Sequence, residues 1–538
     1  MKAISILNHV LGPVMRGPSS SHTAGAFHIA CMARSMLGGT PRHATLAFDP
    51  GGSYARTYAQ QGADRAFAQG LLARPLTDES FFTALAHAPR AGLNLQFDVR
   101  PLAAPDHPNT VEIALTGDDG NTLHLTARSI GGGDVEITRV NDWPVLFNGT
   151  AYETLVESSS PDAAEVLARL GSDGALMAPP ETQSRGGTTA VLARRCSPLS
   201  HETLAALRNL SSAERPAGVA RVMQSTPVYY VQTGRPLFTS AAEMVRLAET
   251  RGLSLGRLAL EYESQLLQKT PAQVLEEMLR RYDVMAEAVR QGLAPGFRGM
   301  QLLTPCAGAI FRAEAGGRLV ARSLNTRAAA RALAVMHVNG AMGVVCAAPT
   351  GGAAGALPGA LVTLAEERSL RREQAALALL AAGAIGVIVA TRATFAAEVA
   401  GCQVEIGAAG AMAAAAVVDG AGGTAAQAAH AAAIAFQNTM GSVCDLVQGM
   451  VEIPCHTRNA AAAAGAFVCA DLVLGGYANP IPLDETIDAV YAVGRMLPAE
   501  LRCTARGGLA VTHSAQALRP RGCSTANDTD ANSEKGCP

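Results

Sequence analysis

The chain has 538 residues, 49% of them hydrophobic and 16% charged, and a formal net charge of −2. That length exceeds one hydrophobic core and suits roughly two to four domains, and the composition excludes a disordered chain. No basic excess marks a nucleic-acid or membrane-surface partner, so neither is expected.

Met1–Arg34 lacks a charged-then-apolar leader, because Gly12, Pro13, Gly17 and Pro18 interrupt it. The reading is therefore cytoplasmic. Residues 1–150 mix helix and strand signals and are expected to form an α+β domain. A helix should follow Ser19–Thr23, capped by that string. Thr110–Leu115 and Leu123–Ala127 alternate as strands, and Gly131–Gly133 marks a turn or a close backbone approach. Residues 151–212 are broken by Pro179, Pro180, Gly186 and Gly187 and read as a small domain or a linker.

From 213 to 512 the chain becomes helical and rich in Ala and Gly. The helical stretches are Ala241–Glu249, Leu253–Gln268, Pro271–Gln291, Thr326–Val345, Leu370–Ala390, Ala408–Val418 and Thr424–Phe436. Small residues let helices approach closely, so an all-α domain with a thick Ala interior is expected. The longest apolar run, Ala375–Ala390, is shorter than the roughly 18–20 residues that span a bilayer. Residues 513–538 read as a mobile polar tail carrying Cys523 and Cys537.

Lysine occurs only at Lys2, Lys269 and Lys535. Pyridoxal phosphate needs a lysine for its internal Schiff base, so no pyridoxal phosphate is expected. The 11 cysteines suit reduced thiols or metal ligation better than a disulfide framework. Cys402, Cys444 and Cys455 each lie beside a Gly, Pro or Asp that can aim a thiolate inward. Three thiolates fit a [4Fe–4S] cluster with one iron open, or else a buried Ala-rich core. Cys31, Cys196, Cys306, Cys346 and Cys469 read as packing residues.

Ser19, Ser20, Ser21, His22 and Thr23 follow a Gly-Pro break. Such a helix start offers N–H groups to an anion, or is an ordinary cap. Pro349-Thr350-Gly351-Gly352-Ala353-Ala354-Gly355 reads as a backbone nest or a helix-to-helix turn. His107-Pro108-Asn109-Thr110 is a turn entering a strand.

Together these strings resemble the iron–sulfur-dependent L-serine dehydratases, with their β and α parts fused. The resemblance rests on Gly17–Thr23, His107–Thr110, Ser129–Gly133, Pro349–Gly355, Ala400–Gly407 and Cys444–Asn459. It implies an α+β domain, a helical cluster domain held by Cys402, Cys444 and Cys455, and a degenerate ACT-like segment at 151–212. It implies a lyase that eliminates water from a small amino acid such as L-serine, with Ser19, Ser20, Ser21, Thr23, Asn109, Thr350, Gly352 and Ala353 around the substrate. A homodimer is the expected assembly.

Three features depart from the family pattern. Gln61 stands where the family has a histidine base, leaving His22, His107 or His456 to substitute. Gly351 and Val404 replace an asparagine and a glycine. Cys503, Cys523 or Cys537 could cap the open iron. Another β-substituted acid as substrate, a non-catalytic redox sensor and a structural zinc site are the competing readings.

Overall fold

The computed structural model describes residues 3–159, 163–172, 174–208 and 221–521. Lys2, Lys535, Cys523 and Cys537 fall outside them. An N-terminal α+β region with two larger sheets is followed by a helix-rich region.

The first turn, Ile6–Val10, leaves the α+β region and packs in the helical core. Its neighbour explains the glycines of the Arg372–Arg392 helix. A Cβ on Gly383 would lie 2.4 Å from Ile6 Cγ2, and one on Gly386 would lie 2.1 Å from Val10 Cγ1. Buried Glu263 accepts the N–H groups of Ile6 and Leu7 at 2.8 and 2.9 Å and the Ser5 hydroxyl at 2.5 Å. The expected 1–150 domain therefore begins too early. Its opening residues belong to the other half, because a five-residue apolar turn carries no periodicity that could assign it.

Strand β1 (Val14–Arg16) leads into the helix Ala24–Leu37. Strands β2 (Pro41–Phe48) and β3 (Asn94–Val99) pair in parallel. Strands β4 (Thr110–Gly117), β5 (Thr122–Gly131), β6 (Asp134–Val140) and β7 (Trp143–Phe147) extend the sheet antiparallel, in the order β3-β2-β4-β5-β6-β7. Val111, Ile113 and Leu115 of β4 are buried, as are Leu123, Leu125 and Ala127 of β5. This is the two-residue period of a sheet with one covered face. Gly131, Gly132 and Gly133 turn β5 into β6 with φ of 106°, 64° and 95°, values that suit glycine.

Strands β8 (Tyr152–Ser159), β9 (Glu181–Arg185), β10 (Thr188–Arg195) and β11 (Arg221–Ser225) form a second sheet, β11-β8-β10-β9, antiparallel throughout. Helices Ala163–Gly171 and His201–Arg208 supply its crossovers. The arrangement is a complete split βαβ unit rather than a degenerate one. Its last strand lies beyond 212. Five residues reading Arg-Val-Met-Gln-Ser are too short for the alternation to announce itself.

The helical half forms largely as the sequence indicates, but the expected helix Thr326–Val345 ends at Gly340 and Val344–Cys346 is a strand, so the half is not all-α. Thr270 and Thr424 close capping boxes with Gln273 and Gln427 at the starts of Pro271–Leu293 and Ala425–Thr439. Helix Arg372–Arg392 and residues Cys402–Gly420 are long and apolar enough to cross a membrane, yet their windows are 83% and 89% buried within the protein. Strand β12 (Val344–Cys346) pairs with β1 and stitches the two halves together.

Glu263→Ala leaves two buried N–H groups and a hydroxyl without their acceptor. A loss of about 3 kcal/mol in unfolding free energy is expected from denaturant titration. A change under about 0.5 kcal/mol would show that the N-terminal turn is not held this way.

Candidate functional site

The site forms where the α+β half meets the helical half. Gly17 seats there because a Cβ would lie 2.0 Å from the Asn339 carbonyl oxygen, while the Asn339 amide donates to Pro18 O at 2.9 Å. This places the Ser19–Thr23 turn over the Thr350–Gly355 loop. Gly351 N donates to Ser20 Oγ at 3.3 Å. A Cβ on Gly351 would lie 2.9 Å from Ser20 N and 3.0 Å from Pro18 O. The departure at this position thus permits the close turn.

Asn459 fixes the loop from below. Its Oδ1 accepts from Gly355 N and Ala356 N at 3.1 and 3.0 Å, and its Nδ2 donates to Gly352 O and Cys455 O, both at 2.9 Å. Thr350 Oγ1 accepts from Ala353 N at 3.2 Å and donates to Glu405 Oε1 at 2.6 Å. The loop is therefore a nest whose amides are mostly satisfied internally. Gly352 N and the amides of Ser20 and Ser21 make no hydrogen bond among the described residues.

The three cysteines converge from separate segments. Cys402 precedes the Ile406–Gly420 helix, Cys444 follows Ala425–Thr439, and Cys455 heads Cys455–Leu474. All three are buried and pack in one cluster with half-buried Cys503. Donor atoms of Cys402, Glu405 and Cys444 lie within 4.8 Å of one another. Arg458 approaches Cys402 Sγ at 3.6 Å, reaches Val443 O at 2.7 Å, and pairs with Asp445 at 3.0 Å. Hydrogen bonding to Cys402 and Cys503 together with burial pushes the Cys444 thiol up, and burial pushes Cys455 up. Soft sulfur donors held together, with a guanidinium beside one, fit a metal group that draws off the thiol protons.

Ser19, Ser20, Ser21, His22, Gln61, Thr350, Gly352, Glu398, Glu405, Cys444, Cys455 and Cys503 line a narrow inner chamber. Gln61, Glu398, Leu446 and Cys503 also line an outer vestibule of about 690 Å³, which holds Arg56, Arg502 and Arg506. Those four residues form the throat. Burial drives Glu405 up to about 7, against the Thr350 hydrogen bond.

Other expected residues lie elsewhere. Thr23 does not cap its helix with its side chain. Its hydroxyl donates to Arg16 O at 2.7 Å and Ser19 O at 2.9 Å, holding the turn. Ala353 and Asn109 are buried outside the chamber lining, and both polar side-chain atoms of Asn109 lack a partner among the described residues. His107 Nδ1 accepts from Asn109 N at 3.1 Å, outside the lining. His456 turns away, its Nδ1 3.3 Å from His337 Nδ1. Being adjacent to Cys455 on a helix sends it roughly 100° around the axis. Of the three histidines, only His22 reaches the chamber. Its Nδ1 is 3.2 Å from Ser19 Oγ and its Nε2 2.8 Å from Thr57 Oγ1.

Among the cysteines read as packing, Cys346 and Cys469 are buried. Cys31 is half-buried, and Cys196 and Cys306 are exposed. Sequence reasoning passed over Glu405 and Glu398. Glu405 sits three residues after Cys402, and Glu398 is the lone acid in the largely apolar stretch 393–401.

Buried thiols beside a carboxylate, with hydroxyls and free amides across a small chamber, form an enzyme site whose donor set suits a metal group and a small polar substrate. A family described as "Serine dehydratase alpha chain" matches residues 250–510. "Probable L-serine dehydratase, alpha chain" of Bacillus subtilis is 38% identical over 288 residues, 53% of this chain and 95% of that one. "Probable L-serine dehydratase, beta chain" of the same organism is 42% identical over 156 residues, 29% of this chain and 69% of that one. "L-serine dehydratase" of Streptomyces coelicolor is 34% identical over 286 residues, 51% and 61% of the two chains. The chain belongs to the serine dehydratase family.

Burial lowers His22 from 6.5 to about 3. Its neutral form therefore adds stability above pH 6.5, lost as the pH falls toward the folded value. Between about pH 7 and about pH 4.5, His22→Asn should lose about 2–3 kcal/mol less unfolding free energy than the parent. Equal losses in denaturant titrations at the two pH values would contradict the burial-driven shift.

Proposed function

We propose that this protein eliminates water from L-serine to give pyruvate and ammonia, using a [4Fe–4S] cluster on Cys402, Cys444 and Cys455. The observation that carries the reading is the packing of buried Cys402, Cys444 and Cys455 in one cluster, of which Cys444 and Cys455 line a chamber shared with Ser19–Ser21, His22 and Glu405. When bound, the cluster supplies a Lewis-acidic iron that makes a β-hydroxyl a better leaving group.

The chain's own residues do the rest. Arginines of the vestibule draw an amino-acid carboxylate inward. The free amides of Ser20, Ser21 and Gly352 then receive it, as backbone N–H groups at a turn receive anions. Arg458 holds Cys402 and offsets its negative charge. Buried walls exclude bulk water until the aminoacrylate leaves to hydrolyse. Among the described residues no lysine lines the chamber, which supports a mechanism without pyridoxal phosphate.

Protein prepared without oxygen should release pyruvate from L-serine faster than keto acid from L-threonine or L-cysteine. Cys402→Ser, Cys444→Ser and Cys455→Ser should each lower that rate by at least about 10³-fold. Turnover of another β-substituted acid but not serine would replace the substrate. Full activity in any of the three variants would remove that cysteine from the ligand set.

A further inference from the structure

An elimination needs a group that accepts the α-proton, and the chamber offers few. The Gln61 side chain is an amide and donates to Gly449 O at 2.9 Å. Both His22 nitrogens face hydroxyls, and burial keeps the ring from charging. Glu405 is tied through Oε1 to Thr350 and lies beside the sulfurs of Cys402 and Cys444. His107 and His456 stand outside the lining.

Glu398 differs from all of these. It opens the short helix Ala397–Ala400, is partly exposed, and lines both the chamber and the vestibule beside Gln61, Leu446 and Cys503. Its carboxylate makes no hydrogen bond and no ion pair among the described residues, although three arginines line the same vestibule. It acts electrostatically on Tyr54, His107, Glu405 and Cys503, groups from four separate segments. A carboxylate without a partner at the junction of vestibule and chamber has its oxygens free to take a proton from an entering substrate.

We infer that Glu398 is the catalytic base that takes the α-proton from the amino acid entering through the throat. This rests on the dehydratase reading. The Cα–H bond breaks and its electron pair forms Cα=Cβ as the Cβ–O bond breaks. The proton moves to a Glu398 oxygen and the hydroxide departs. That same proton then completes the water molecule and regenerates the carboxylate. No oxidant or reductant enters.

Glu398→Gln keeps the shape and removes the acceptor. The variant should retain iron and sulfide at the parent level, and serine should perturb its visible absorption with an affinity within about threefold. Its kcat should fall at least about 100-fold. With α-deuterated serine, the isotope effect on kcat should rise, since proton abstraction then limits turnover. Retention of more than about a third of kcat, loss of iron, or a slow variant with an unchanged isotope effect would each overturn the assignment. If the parent turns over only another amino acid, the substrate reading fails and the same measurements on that compound judge Glu398. A parent inactive on every amino acid removes both.

Discussion

Three sulfur atoms from distant points of the chain must share one small volume, and the helical half is built around that requirement. The helices packed around them touch through alanine and glycine, so each backbone approaches its neighbour closely. At Gly355 and Gly359 a Cβ would lie 2.6 Å from Ala332 O and 2.7 Å from Ala328 O. Side chains this small leave few ways to slide, and interiors packed to crystal-like density transmit any displacement. The Ala-rich composition is thus the means by which thiols set by local turns acquire fixed mutual positions.

The second half completes the chamber rather than merely adjoining it. Ser5, Ile6 and Leu7 reach into the helical core, β1 pairs with β12, and Gly17 seats on Asn339. Gln61 crosses to Gly449. Ser19–Ser21 and His22 come from one half, and the thiols, the carboxylates, Thr350 and Gly352 come from the other. Ligand sites favour such junctions, where two rigid bodies present groups that neither can bring together alone.

Much of this was legible because strong local chemistry carried it. Three helical stretches followed from periodicity and four from Ala and Gly content, with Thr326–Val345 running past the helix end at Gly340 into a strand, and the three cysteines were singled out by their Gly, Pro and Asp neighbours together with the family resemblance. Ser19–Ser21 followed from the Gly-Pro break. What escaped depends on tertiary geometry. Thr23 shares the serine string, yet points to Arg16 O. His456 neighbours a cysteine, but helical rotation turns it to His337. Ala353 sits inside a motif whose Thr350 and Gly352 face the chamber, and Asn109 belongs to the turn His107–Thr110, which lies wholly outside its lining. Glu405 and Glu398 were hidden in plain acidic spelling, since a carboxylate acquires meaning only when burial and neighbours are known. The ACT-like segment, obscure by pattern, is a complete split βαβ unit whose final strand lies past an apparent boundary.

The central claim is that Cys402, Cys444 and Cys455 jointly hold an iron–sulfur cluster. It is tested most directly by metal and acid-labile sulfide analysis of oxygen-free protein, together with its visible spectrum. The expected result is about four irons and four sulfides per chain, with broad brown absorption. Colourless protein carrying zinc, or carrying no metal after anaerobic reconstitution with iron and sulfide, would contradict the account.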